Sequence, residues 1–195
     1  VTVVTRTEQQ AESINQHGII FEQLTGERTH YRVKATTTYR NDCLTIITVK
    51  YHQLSTVYTQ LHRCSEEMPL LFMQNGLAHY EEALQLRQQP IAFSSVQFGA
   101  QKINDYTVAE RGSGVMKVAV ARGEVDIFDT LKRLGNDRVH VRYEQQAEQM
   151  LFEKAVLNCF INPLTAILQI KNGELICKKE AFLLMQSLYN EIILT

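Results

Sequence analysis

A lysine and two asparagines recur at intervals of four residues in a segment that is otherwise apolar. They are Lys154, Asn158 and Asn162. An α-helix drifts by only about 40° over such an interval, so the three side chains would share one helix face. Polar groups directed into a buried region must find partners or they lower the stability. The spacing therefore predicts that this face is directed at something polar, and Asn172 follows shortly after it.

These residue types suit a carbonyl substrate. A lysine ammonium beside a ketone can donate a proton to the alkoxide that develops on the ketone oxygen. Partial desolvation lowers the pKa of a lysine, which eases proton release near neutral pH. Asparagine carboxamides donate and accept hydrogen bonds, so they can hold hydroxyl and carboxylate groups. The lysine and the asparagines are therefore a candidate site for carbonyl chemistry.

Ordinary structural roles are the alternative for two of these asparagines. Asn162 precedes Pro163, and proline disfavours a helical residue before it but is favoured at the first helical position. One helix would then end near Asn162, which would cap a second helix beginning at Pro163. Asn172 before Gly173 similarly fits the turn that ends a helix. Both interpretations remain open from these residues alone.

Three further polar residues follow predicted strands. Arg6 follows a β-branched run, and an arginine after the second strand of a dinucleotide-binding fold accommodates the 2′-phosphate of NADP. Lys50 and Asn75 follow two apolar strands, and ligands of open α/β sheets bind beyond the carboxyl ends of strands. An exposed surface arginine and an ordinary Asn-Gly turn are the structural alternatives.

A glycine-rich stretch at residues 112–114 imitates the start of a phosphate-binding loop. It lacks the third glycine of the G-x-G-x-x-G pattern, and the residues after Gly114 alternate like a strand rather than opening a helix. We therefore reject it as a phosphate loop. We expect instead an antiparallel hairpin that pairs Thr107–Glu110 with Val115–Val120.

Strands alternate with helices up to residue 144, and helix alone follows. This order predicts an α/β doubly wound sheet and then a helical domain, with the boundary near Glu144. A helix from Asp126 would end at Gly135. The other expected helices are Glu8–His17 and one ending near Leu61. The other expected strands are Val1–Val4, Ile19–Gln23, Tyr31–Ala35, Leu44–Val49, Pro69–Met73, Ile91–Phe98 and Val139–Tyr143.

The overall composition restricts the class of protein. A formal net charge of −1 and a pI of about 6.7 argue against nucleic-acid and anionic-membrane partners. We find no apolar run approaching the roughly 20 residues of a membrane span. The four cysteines form no Cys-x-x-Cys pair and fit reduced cytosolic thiols, and the six histidines form no helical pair, so we expect no metal site.

These features, in this order, resemble the ketopantoate reductase (2-dehydropantoate 2-reductase) family. The most specific match is Lys154-x-x-x-Asn158-x-x-x-Asn162-Pro-Leu-Thr-Ala166, followed by Asn172-Gly-Glu-Leu175. Similar residues of the family also fall at Thr48-Val-Lys50, Gln53, Gln74-Asn75-Gly76 and Gly99-Ala100. The resemblance runs over essentially the whole chain.

The resemblance implies a Rossmann-like NADP-binding domain at residues 1–144 and the start of an all-helical substrate domain at 145–195. It implies NADPH-dependent reduction of 2-dehydropantoate to (R)-pantoate in the cytoplasm, on the pathway to pantothenate and coenzyme A. Lys154 would donate the proton, and the three asparagines would bind this small-molecule substrate. A homodimer is compatible with it. The implied cofactor contacts are Arg6, for the 2′-phosphate, with Lys50, Gln53, Asn75 and Ala100.

The chain also departs from the family pattern. The family begins with a strand and a glycine-rich phosphate loop, which are absent before Val1, and it continues beyond Thr195. We therefore expect a fragment or a truncated product, which alone binds NADPH poorly and turns over slowly or not at all. Another β-hydroxyacid-type dehydrogenase, a class that also pairs a lysine with an asparagine one turn away, is one alternative. A non-catalytic relic is the other.

Overall fold

The computed structural model describes residues 1–134 and 139–194. Its strands are β1 (Thr2–Val4), β2 (Ile19–Glu22), β3 (Arg28–Tyr31), β4 (Lys34–Thr36), β5 (Thr45–Ile47), β6 (Leu70–Phe72), β7 (Ile91–Val96), β8 (Gly99–Lys102), β9 (Thr107–Gly112), β10 (Gly114–Arg122) and β11 (Val139–Tyr143). Its helices are α1 (Glu8–His17), α2 (Leu54–Leu61), α3 (His79–Leu84), α4 (Asp129–Leu134), α5 (Ala147–Leu168), α6 (Glu174–Cys177) and α7 (Lys179–Leu194). Short 3₁₀ turns precede α2 and α4.

The largest sheet has five strands in the order β11-β10-β7-β6-β5. Strands β5, β6 and β7 are parallel, and β10 runs antiparallel to β7. Every residue of β6 and nearly every residue of β7 is buried, because helices cover both faces of the sheet. On one face α2, α3 and the first turns of α5 pack around Phe72 and Phe93. On the other face Phe128 and Leu131 cover the strands, which confirms the predicted α/β architecture.

The remaining strands form two smaller sheets. Strand β1 pairs in parallel with β4, and α1 packs against them around Ala11, Ile14 and Ala35. The four-stranded sheet has the order β3-β2-β9-β8. Within the described ranges, β1 pairs only with β4 and β5 only with β6. The strands that the sequence predicted as one open sheet are therefore divided among three sheets, each of which contains a parallel pair.

Two strand predictions were wrong. The segment Tyr31–Ala35 is not one strand, because β3 ends at Tyr31 in a hairpin with β2 and a separate strand, β4, begins at Lys34. The expected hairpin of β9 with β10 is also absent from the sheets described, since β9 pairs with β8 and β2 whereas β10 pairs with β7 and β11. Only Ser113 separates the two strands, so the glycine-rich stretch carries the chain from one sheet into another.

The prediction that one helix ends near Asn162 was also wrong. Helix α5 continues through Pro163 to Leu168 and ends at Gln169, which has a left-handed φ of 54°. The hydroxyl of Thr165 donates to the carbonyl oxygens of Ile161 and Asn162, at 2.8 and 3.1 Å, beside the missing proline N–H. Phe160 and Leu164 are buried on either side of the proline, and this packing opposes a break.

Two further predictions concern the residues at which helices end. Asn172 and Gly173 do not close α5, because they lie directly before α6. Gly135, the predicted end of the helix after Asp126, lies outside the described residues. Among the described helices, only α5 is long and apolar enough to cross a membrane by length and composition, which the sequence analysis did not expect. One such helix is weak evidence for a membrane span; α5 begins in the core of the large sheet, and 17% of its apolar window is buried.

His79 is an ionisable side chain inside the core of the large sheet. It is 0% exposed, and neither ring nitrogen has a hydrogen-bond partner. The rings of Phe72 and Phe93 lie 6.3 and 5.5 Å from it. Burial lowers the pKa of this imidazole to about 4, although nearby Glu82 opposes the shift. The folded protein therefore holds His79 neutral at physiological pH.

We expect this histidine to make the fold sensitive to acid. The His79 imidazole takes up a proton near pH 6.5 in the unfolded chain and near pH 4 in the folded chain. Its contribution to the free energy of unfolding is therefore fully present above pH 6.5 and is lost as the pH falls from 6.5 to 4. The loss amounts to about 3 kcal/mol. In His79→Phe, urea unfolding midpoints measured from pH 7 to pH 4 should fall less than in the parent chain. The exposed His62→Phe is the matched control, and an unchanged pH dependence in His79→Phe would contradict the assignment.

Candidate functional site

The carboxyl ends of three parallel strands define one edge of the large sheet. Strands β5, β6 and β7 are adjacent and in register, so the turns that follow them lie side by side. The first turn carries Lys50, the second carries Asn75, and Val96 ends the third strand. Such an edge is where ligands of open α/β sheets bind. The structure thus brings two of the predicted cofactor residues to one place.

Side chains tie the first two turns together. The Gln74 carboxamide, which is buried, donates from Nε2 to the carbonyl oxygens of Ile47 and Val49, at 3.0 and 2.9 Å. On the solvent side, the Tyr51 hydroxyl donates to a carboxylate oxygen of Glu82 at 2.8 Å. Both contacts join the segment after β5 to the segment after β6. The segments after β5 and β6 are therefore joined by one buried side chain and by one hydrogen bond at the surface.

Gln53 already has a structural role in the first turn. Its Oε1 accepts the backbone N–H of Lys50 at 3.1 Å. This bond caps the short 3₁₀ helix Tyr51–Gln53. The Lys50 and Asn75 side chains are exposed, so they are available to a ligand at the sheet edge. Gln53 shapes the turn that presents Lys50.

Helix α5 delivers Lys154 to the end of β7. The helix crosses β7 and β10, and its first turns are anchored in the core by Met150 and Leu151. The Lys154 ammonium donates to the carbonyl oxygen of Val96 at 2.5 Å. Burial lowers the pKa of this lysine from its usual value, and no carboxylate pairs with it in the described part of the chain. A half-buried cation without a counter-ion is thus held at the sheet edge.

The asparagines follow Lys154 along the same helix. Because α5 is continuous through Pro163, Lys154, Asn158 and Asn162 share one face at steps of about 6 Å. Asn158 is half-buried and Asn162 is exposed, while Asn172 is exposed in the turn before α6. Their carboxamides have no hydrogen-bond partner among the described residues. The donors and acceptors of all three are therefore open to a ligand.

Arg6 and Ala100 lie in other sheets. Arg6 follows β1 and is exposed, and the preceding Thr5 is buried and bonded through its backbone N–H to the Thr36 carbonyl at 2.9 Å. Ala100 lies in β8, opposite Glu110 of β9. Within the described ranges neither residue makes a hydrogen bond or ion pair with the residues at the edge of the large sheet. Arg6 thus has a support separate from that of Lys50, Asn75 and Lys154, whereas Ala100 lies four residues along the chain from the end of β7.

The exposed charges that follow two of the parallel strands, one in each of two sheets, suit an anionic ligand. Lys50 and Arg6 are exposed cations that take part in no ion pair with another described residue. Each follows the carboxyl end of a parallel strand. Phosphates are commonly bound by lysine point charges and by paired arginine donors. No group of three or more potential metal ligands occurs among the described residues.

Residues missed by sequence reasoning complete the site. The Val96 carbonyl orients Lys154, but a backbone acceptor carries no sequence signature. Gln74 was noticed only as part of a turn motif, and its burial could not be foreseen. A cavity of about 510 Å³, lined in part by Tyr80 and Phe152, lies near the start of α5 and does not include Lys154 or the asparagines. The candidate site is an open edge rather than this cavity.

Two family models match the chain and cover most of it. The model described as ketopantoate reductase PanE/ApbA matches residues 1–123. The model for the C-terminal part of ketopantoate reductase PanE/ApbA matches residues 146–194. The two matches fall on either side of the predicted boundary near Glu144.

Individual relatives agree with these matches. The chain is 34% identical to 2-dehydropantoate 2-reductase of Bacillus subtilis (strain 168), covering 98% of the chain and 64% of the relative. It is 31% identical to the enzyme of that name from Listeria monocytogenes, covering 98% and 66%. The crystal structure of the probable 2-dehydropantoate 2-reductase panE from Bacillus subtilis superposes with a TM-score of 0.85 at 33% identity, covering 98% and 66%. The chain thus spans about two thirds of the length of the relatives it matches.

Gly114 lets β10 approach the backbone beside the lysine contact. A Cβ at this position would lie 2.4 Å from the carbonyl oxygen of Gln97, the residue after Val96. We expect Gly114→Ala to lower the free energy of unfolding by about 1–3 kcal/mol, because a backbone atom must move. Urea denaturation measures this loss. Gly173→Ala is the control, since a Cβ at Gly173 meets nothing within 4 Å. Equal stability of the two variants would contradict the close packing.

Proposed function

The chain belongs to the ketopantoate reductase family, and from this premise we propose that its whole protein reduces 2-dehydropantoate to (R)-pantoate with NADPH. The observation that carries the proposal is the Lys154 ammonium, which is half-buried, free of carboxylates in the described part of the chain, and bound to the Val96 carbonyl at the sheet edge. This is the position at which a proton donor can meet a ketone.

We assign the proton-donor role to Lys154. Reduction of a ketone adds a hydride to the carbonyl carbon and a proton to the oxygen, and Lys154 supplies that proton. Burial lowers the lysine pKa, which makes the ammonium a better acid. The Val96 carbonyl holds the ammonium while leaving two of its three protons for the substrate. A positive charge near the oxygen also stabilises the developing alkoxide.

The asparagines are assigned to the substrate. Asn158 and Asn162 continue the face of α5 that begins with Lys154, so a molecule bound at the lysine extends along them. Their free carboxamides, with that of Asn172, match a substrate that carries a carboxylate, a hydroxyl and a ketone. The curated relatives are named for 2-dehydropantoate, which supports this compound as the substrate.

The cofactor is assigned to the strand ends. Lys50 and Asn75 present a cation and a carboxamide beyond β5 and β6, and Arg6 presents a guanidinium beyond β1. This donor set fits a phosphorylated dinucleotide, with Arg6 on the 2′-phosphate. Gln53 and Ala100 are the remaining proposed contacts. A reduced nicotinamide dinucleotide, when bound, supplies the hydride.

One alternative has a specific observation in its favour. The chain is also similar in fold to D-mandelate dehydrogenase, whose structure contains NADH and anilino(oxo)acetate, with a TM-score of 0.74 at 18% identity. A different 2-oxo acid and NADH are therefore the competing substrate and cofactor. Arg6 favours NADPH, because an acidic residue at this position selects NADH.

We also propose a homodimer for the whole protein. A structural relative, the ketopantoate reductase of Staphylococcus aureus, is described as dimeric. The helical part of this chain exposes large apolar side chains, among them Ile167 and Ile176, at 75% and 69% exposure. Sedimentation velocity on the extended protein described below is expected to give twice the monomer mass. A monomer at every concentration would refute the homodimer.

The function is tested on two proteins. One is this chain alone, and the other is the chain fused to the flanking segments by which the Bacillus subtilis relative exceeds the match. NADPH oxidation at 340 nm with 2-dehydropantoate is expected in the extended protein. Lys154→Ala should lower its turnover by about 10²–10⁴-fold, because general acid catalysis is lost. Turnover should also decline with rising pH, since Lys154 must be protonated to act.

The controls separate the alternatives. Lys179→Ala removes a lysine from the exposed start of α7 and should leave turnover unchanged. NADH and phenyl-substituted 2-oxo acids are assayed in parallel. Faster turnover with these compounds than with NADPH and 2-dehydropantoate would show that the proposed substrate and cofactor are wrong. No turnover with any 2-oxo acid would eliminate the enzymatic proposal.

A further inference from the structure

The Gln74 side chain extends the pairing of β5 and β6 beyond the ends of the strands. The last backbone bond between them runs from the Met73 N–H to the Ile47 carbonyl at 3.1 Å. The Gln74 Nε2 then donates to that same Ile47 oxygen and to the Val49 oxygen, at 3.0 and 2.9 Å. Beyond Met73, no backbone hydrogen bond joins residues 48–50 to 74–76 in the described structure. The Gln74 carboxamide therefore supplies the hydrogen bonds that the backbone does not form beyond the ends of the strands.

The two acceptors determine which way the amide faces. Both are carbonyl oxygens, so only an N–H donor can lie between them. Gln74 is 5% exposed, and its Oε1 is buried without a partner. A buried unpaired acceptor costs stability, so this side chain is a poor choice for stability alone. The geometry requires a donor of glutamine length and excludes a carboxylate of the same shape.

We propose that Gln74 is a positioning residue for the dinucleotide site, holding the turn that carries Lys50 against the turn that carries Asn75. The inference rests on the proposed function, in which these two side chains contact the cofactor. Gln74 is itself buried. It acts through the backbone at Ile47 and Val49, so that a cation and a carboxamide stand at a constant separation beyond the sheet edge.

The chain contains a matched control for this role. Gln88 is a second buried glutamine, 1% exposed, whose Nε2 donates to the Leu61 carbonyl at 2.8 Å and whose Oε1 also lacks a partner. It lies before β7, away from the carboxyl ends of the strands. Replacement of either glutamine by methionine removes a comparable buried carboxamide. Only replacement of Gln74 releases the two turns.

Hydrogen exchange of the ligand-free chain tests the role without any cofactor. In Gln74→Met, amide exchange in peptides covering residues 48–53 and 74–78 is expected to accelerate by about tenfold or more, because the opening of both turns no longer breaks the carboxamide bonds. Gln88→Met should leave these peptides unchanged while losing similar global stability in urea. Unchanged exchange in Gln74→Met, or equal acceleration in both variants, would overturn the proposal.

Cofactor binding gives the second readout. In the extended protein, NADPH fluorescence titration should give a dissociation constant about tenfold higher for Gln74→Met than for Gln88→Met. In Gln74→Glu the ionised carboxylate repels both carbonyl oxygens, whereas the protonated form can donate one hydrogen bond. NADPH affinity of this variant should therefore recover as the pH falls from 8 to about 6, because burial raises the pKa of a carboxyl group. Gln74→Met should show no such recovery.

Amide exchange and NADPH affinity distinguish failure of the proposed cofactor from failure of the proposed role of Gln74. If the extended parent protein does not bind NADPH, the proposed cofactor is wrong, and the exchange rates still decide whether Gln74 holds the turns. If the parent binds NADPH and all three variants bind it equally well, Gln74 has no positioning role for the cofactor. Either result is independent of turnover.

Discussion

The packing of α5 across the large sheet is the contact on which the candidate chemistry depends. Met150 and Leu151 lie in the same core as Phe72 and Phe93, which determines both the height and the rotation of the helix. Lys154 lies one turn further along the same side, so its ammonium reaches the Val96 carbonyl at the end of β7. A cation at this edge is thus a consequence of apolar packing earlier in the helix, and the hydrogen bond only orients it.

Polar side chains in different parts of the fold are hydrogen-bonded to different degrees. Asn15, an exposed residue of α1 beside the two-stranded sheet, both donates to the Ala35 carbonyl and accepts the Ala35 N–H, at 2.9 and 2.8 Å. Gln74 uses only its donor side, and Lys154 has one protein acceptor for three protons. The two hydrogen bonds of Asn15 join α1 to β4 and have a structural role. Gln74 and Lys154, which are only partly paired, lie where the turns and the lysine face the proposed ligand edge.

The sequence predicted most of the strands and helices but not their connections. Runs such as Pro69–Met73 identify strands by their apolar composition, and α1 was predicted with its ends because Gly18 stops it. Which strands pair is a long-range property, and the strands on either side of Ser113 therefore suggested a hairpin that does not form. Local proline preference likewise predicted a break in α5. The packing of Phe160 and Leu164 outweighs that preference.

The candidate site was partly foreseeable for the same reason. The spacing of Lys154, Asn158 and Asn162 is a local helical property and survives in the continuous α5. The acceptor for Lys154 is a backbone carbonyl 58 residues away in sequence, which no local pattern reveals. The donor role of Gln74 also depends on a neighbouring strand. The spacing of side chains within α5 could thus be predicted from the sequence. The hydrogen bonds of Lys154 and Gln74 could not, because they join different elements.

The proposed site is divided between the two-stranded sheet of β1 and β4 and the large sheet, which have separate supports. Arg6 follows β1, which is supported by the small core around Ile14 and Ala35. Lys50 and Asn75 follow strands of the large sheet, whose core contains Phe72 and Phe93. A dinucleotide that contacted Arg6, Lys50 and Asn75 would link the two cores. Its affinity would therefore depend on how the cores are held relative to each other, as well as on the residues that touch it. The Lys154 contact lies wholly within the larger unit, and its geometry is independent of that linkage.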